Sequence, residues 1–213
     1  MKLLTTNRPT HRKLLLGLYV PAGLLMLATL AVSLHTGIPL AMFTRDPADI
    51  TETSPFLGVV SNICILLWCA TASICLFSHL GVKKKGHKDL AMFLLVSGLF
   101  TGMLLLDDLF LLHERVLPGY LHWRQRYIYL GYMTITLGYL AGFRKIIFRT
   151  DHLLLVLALG FFFLSVAVDC IAARWGHLIP VYHLFEDGFK LFGIVSWLGY
   201  FANTSLQWLA RPE

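Results

Sequence analysis

Leu104-Leu105-Leu106-Asp107-Asp108-Leu109-Phe110-Leu111-Leu112-His113-Glu114 places two adjacent carboxylates inside an apolar run and closes it with a histidine–glutamate pair. The run around it extends over 89–113, long enough to cross about 30 Å of hydrocarbon at about 1.5 Å per residue. An ionisable group in such a span is costly and is expected to face a bundle interior, where it marks a candidate site. The rest of the sequence therefore has to answer two questions: whether other spans accompany this one, and whether they bring polar partners to it.

Five further apolar runs answer the first question. They cover about 14–34, 56–80, 127–143, 152–173 and 182–209. The composition agrees, at 57% hydrophobic and 14% charged, against roughly 25% charged in a soluble domain. No polar stretch is long enough for a second domain, so residues 1–213 are expected to form a single transmembrane domain. The first run exceeds the 7–15 apolar residues of a signal peptide and is expected to be retained. Pro21 and Gly23 should kink it. The predicted fold class is all-α: a polytopic integral membrane bundle of about six transmembrane helices.

Charge gives the orientation. The net charge of +6 is not spread as a nucleic-acid surface would be but clustered in short loops, which is the pattern of cytoplasmic loops. With six spans, twelve Lys and Arg lie on the side of the termini and five on the other. Both termini are thus expected in the cytoplasm, in a bacterial-type inner or plasma membrane, although Arg115, Arg124 and Arg126 run against the trend. Pro39, Pro47 and Pro55 with Arg45, Asp46, Asp49 and Glu52 read as a polar loop between the first two spans.

That orientation brings scattered polar residues to one depth. Asp107, His113 and Glu114 fall at the outer end of the third span, and Asp169 near the outer end of the fifth. His183, Glu186, Asp187 and Lys190 occupy the first turns of the sixth. On a continuous helix Asp107 and Glu114 share a face two turns apart, and His183, Glu186, Asp187 and Lys190 form one stripe. Ser165 and Asp169 share a face as well. Asp108 points about 100° away from Asp107, so one of the two should face the site and the other a neighbouring helix.

Histidines and carboxylates at low dielectric suit zinc, iron or manganese. They equally suit a proton relay, which Lys190 beside Glu186 and Asp187 would charge-compensate. A third reading is structural, with Asp107 or Asp169 paired to Lys190 or Arg174 to lock helices. The ExxH pairs of di-iron bundles, HExxH, GxSxG and a phosphate-binding glycine loop are all missing from the sequence. Cys64, Cys69, Cys75 and Cys170 lie in apolar runs without CxxC spacing and read as small core residues. Trp123, Tyr127, Tyr129 and Trp175 read as an interfacial belt, and Gly98, Gly102, Gly138 and Gly142 as packing faces.

The function expected from the sequence is a small membrane-embedded, metal-dependent enzyme, a hydrolase or oxidoreductase, acting on a lipid or other apolar substrate. Asp107, Glu114, Asp169, His183 and Glu186 would hold the divalent metal. His113 or Asp187 would transfer protons, and Lys190 would stabilise developing negative charge. The alternatives are a proton- or cation-coupled transporter or channel using the same carboxylates, and an accessory membrane subunit. The expected partners are membrane lipids and a homo-oligomeric or larger membrane assembly, and nucleic acid is not among them.

Overall fold

The computed structural model describes residues 8–175 and 181–210, and the chain divides into two compact units, Met1–Leu57 and Gly58–Glu213. All regular structure among the described residues is helical. The connection through His177 and the C-terminal Arg211 lie outside them, as does the side chain of Arg174.

The first unit opens with α1, Arg8–Thr36, which runs through Pro21 without a break. Gly37 follows at φ 72°, a left-handed turn that glycine adopts freely. Leu18, Leu24, Leu25 and Leu34 on different faces of α1 are all exposed, as expected of a helix solvated by lipid rather than water. The segment read from sequence as a plain loop contains two short helices, α2 (Ala41–Thr44) and α3 (Pro47–Ile50). The second has a local cause. Asp46 accepts from the Ala48 N–H at 2.7 Å, and Pro47 pre-sets the first turn.

The second unit is built from α4 (Val59–Lys84), α5 (Lys88–Phe110), α6 (Leu117–Leu121), α7 (Gln125–Ile147), α8 (Leu153–Trp175) and α9 (Tyr182–Leu209), with a π-helical turn at Leu112–Val116. Among the described residues four helical stretches are long and apolar enough to cross a membrane: Leu15–Thr36, Val59–Lys84, Lys88–Phe110 and Leu153–Ala172. Helices α7 and α9 have the length but carry more polar side chains, in α9 Glu186, Asp187 and Lys190 near its start and Asn203 and Gln207 near its end.

The interior of this unit is aromatic. Trp68 stacks on Phe162 at 5.6 Å, Phe100 on Tyr139 at 5.3 Å, and Trp197 meets Phe201 edge-on at 5.1 Å. The hydroxyls of Ser97, Thr101 and Tyr139 and the Trp197 indole find partners within this core. Trp197 Nε1 donates to Thr101 Oγ1 at 3.0 Å, and Ser97 Oγ lies 2.7 Å from the Tyr139 hydroxyl. Close helix approach rests on Gly98, where a Cβ would come within 2.8 Å of Leu76, and on Gly193, where it would come within 2.5 Å of Phe162. Gly102, Gly138 and Gly142, read from sequence as packing residues, have no described atom in reach of a Cβ. At the far end Lys85 Nζ donates to the Leu209 carbonyl at 2.7 Å, satisfying one of the free carbonyls that end α9.

Candidate functional site: two carboxylates turned to two sides of one helix end

The site forms where α5 stops. Leu111 takes φ 51°, ψ 44°, a left-handed conformation that costs an L-residue roughly 1–2 kcal/mol. Helical face arithmetic does not carry across this break, so the expected alignment of Asp107 with Glu114 is replaced by another. The chain folds back and brings His113 onto Asp107. Its backbone N–H donates to Asp107 Oδ1 at 3.0 Å and its Nδ1 to Oδ2 at 2.6 Å. The Tyr132 hydroxyl of α7 donates to Oδ1 at 2.6 Å. Three charge-assisted bonds thus fix Asp107.

Asp108, one residue on, points to the other side, as the helical offset requires. It pairs with Lys190 of α9 and, like Asp107, is only 6% exposed. Its Oδ1 takes the lysine, while Oδ2 is buried without a hydrogen-bond partner among the described residues. A cavity of about 190 Å³ opens here, lined in part by Ser61, Cys64, Asp108, Glu114, Asp187 and Lys190. Three carboxylates against one ammonium give its wall an excess of negative charge.

The remaining expected ligands go elsewhere. Asp169 accepts from the Tyr129 hydroxyl at 2.7 Å, and Ser165 donates to the Glu186 backbone carbonyl at 2.9 Å. Glu186 lies 3.7 Å from His183, whose side chain is exposed. Among the described residues no three His, Cys, Asp or Glu side chains are gathered so as to hold a metal ion. Asp107, Asp169 and Glu186 are instead engaged separately, by histidine and tyrosine partners, and Glu114 lines the cavity.

The π turn links the two sides. His113 Nε2 lies 3.6 Å from Glu114 Oε1. Burial alone would lower the pKa of the imidazole. The Asp107 hydrogen bond and the Asp107 and Glu114 charges outweigh it and raise the pKa above the ordinary histidine value. Sequence reasoning missed Tyr132, Ser61 and Cys64, and it read Tyr129 as a belt residue. The available signal was the Tyr129/Tyr132 pair at i, i+3, which sets both hydroxyls on neighbouring parts of α7.

Residues 18–204 match the family described as "Domain of unknown function (DUF8692)", and the chain belongs to it. No curated protein and no solved structure matches the chain.

Proposed function

We propose that the chain is a six-span integral membrane protein with both termini cytoplasmic, forming one transmembrane domain, and that it is a proton- or cation-coupled carrier. The observation that carries this reading is the buried Asp108–Lys190 pair on a cavity shared with Glu114 and Asp187. An intramembrane carboxylate–lysine pair can exchange its internal cation for an external one, which is the elementary step of coupled cation movement. A carrier suits the geometry better than an open channel. Trp68 and Phe100 are buried against Trp197, which lies about 10 Å along α9 from Lys190, and the three rings pack into the bundle core.

The metal-dependent lipid enzyme expected from the sequence would need Asp107, Glu114, Asp169, His183 and Glu186 around one ion. Their separate engagements support the carrier reading instead. The test is purified protein in liposomes enclosing a pH-sensitive dye, with an imposed cation gradient. Protein-dependent acidification or alkalinisation that is abolished by Lys190→Met and by Asp108→Asn is the expected result. Flux unchanged by both substitutions, or no flux from folded wild type in any of the common monovalent cation gradients, would overturn the reading.

A further inference from the structure

We propose that the segment joining α5 to α7 holds the headgroup phosphate of an anionic phospholipid. Arg115, Arg124 and Arg126 lie in this segment, and no acidic residue occurs anywhere in 115–150. All three arginines are exposed, and no carboxylate among the described residues pairs with any of them. In the six-span topology they lie on the side where Lys and Arg are otherwise sparse, so orienting the chain gives no reason for them. Guanidiniums left without a carboxylate are open to an anion from outside the chain.

Position identifies that anion. The segment follows Phe110, the end of a helix long and apolar enough to cross a membrane, and so lies at a bilayer surface. Beside the arginines, Tyr120 is 83% exposed, Leu121 54% and Trp123 55%. Tyrosine and tryptophan rings settle at the headgroup level, with the apolar body in lipid and the polar edge in water. Arg126 is already oriented. Its Cζ lies 4.8 Å from the centroid of the Tyr127 ring, and Nη2 donates to the Tyr127 hydroxyl at 3.1 Å. That bond occupies one of five guanidinium N–H donors. The planar fork of an arginine matches two oxygens of one phosphate. The place at the bilayer surface favours a lipid over an acidic peptide.

The test sets a reporter inside the segment. Gly119 has no described atom within 4 Å of a Cβ, so Gly119→Cys labelled with bimane, in a cysteine-free full chain, should leave the segment undisturbed. The protein in phosphatidylcholine bilayers is titrated with phosphatidylglycerol carrying a nitroxide near the top of its acyl chain. A second titration uses the same nitroxide on phosphatidylcholine. Phosphatidylglycerol should quench the bimane at the lower mole fraction. Neutralising a single arginine should weaken that preference about fivefold, and Arg115→Gln/Arg124→Gln/Arg126→Gln should abolish it. Lys83→Gln/Lys84→Gln/Lys88→Gln removes the same charge from the turn between α4 and α5 and should leave the preference intact. Equal quenching by both lipids in the unsubstituted segment would overturn the proposal, and is the result an acidic peptide as the occupant would give. A preference that survives the triple arginine variant, or one lost in the lysine variant, would overturn it too. Quenching reads lipid contact and needs no transport, so the lipid site stands or falls separately from the carrier.

Discussion

Asp107 and Asp108 are neighbours in sequence with opposite assignments, and each can be tested alone. Asp108→Asn strands the Lys190 ammonium in a largely buried position. Breaking such a pair costs about 3 kcal/mol or more, whereas replacing both partners by apolar groups is close to neutral. Unfolding measurements should therefore show the single variant well below wild type and Asp108→Leu/Lys190→Met recovered to within about 1 kcal/mol. If double and single variants were equally destabilised, the pair would not be the source of the loss. His113 gives a pH signature. Its pKa is raised in the folded protein, so its contribution to stability is fully present below the unfolded value of about 6.5 and is lost as pH rises through the folded value. Thermal unfolding from about pH 6 to pH 9 should show a decline in wild type that His113→Gln removes. A parallel decline in both proteins would rule out His113 as its source.

At the scale of the element, the turn after α5 depends on Leu111. With glycine there, the left-handed backbone carries no Cβ strain, and part of the gain is offset by the greater freedom of the unfolded chain. Leu111→Gly should raise stability by up to about 1 kcal/mol, and Leu111→Val, with a branched Cβ, should lower it. Opposite signs in unfolding measurements would place the strain elsewhere. This turn also marks where sequence reading stopped. Four of the six apolar runs coincide with helices long and apolar enough to cross a membrane, because length and hydropathy are set by the bilayer. The shared depth of Asp107, Asp169 and Lys190 was an expectation drawn from connectivity. Leucine carries no turn signal, so the break at Leu111 and the return of His113 to Asp107 were invisible. The opposed directions of Asp107 and Asp108 were legible from the helical pitch. Which partner each would find was not, because Tyr132 and Lys190 reach the site from helices distant in sequence.

For the whole molecule, the six-span reading makes a topological prediction. In a cysteine-free background, Thr53→Cys and Lys84→Cys should be modified by a membrane-impermeant maleimide from opposite sides of sealed vesicles, Lys84→Cys from the cytoplasmic side. Labelling of both from one side would require a different span count. The second unit encloses the aromatic core, with Trp197 and Phe201 almost fully buried and in contact with Phe100 and Phe93. Interlocked rings of this kind rearrange in steps rather than yielding by degrees. In the proposed carrier, throughput would be governed by how often they repack, on the microsecond-to-millisecond scale of collective side-chain and helix motion, and not by how tightly the cavity holds its cargo. An electrical recording would register near silence from such a protein, while a tracer assay integrating over minutes would count every passage.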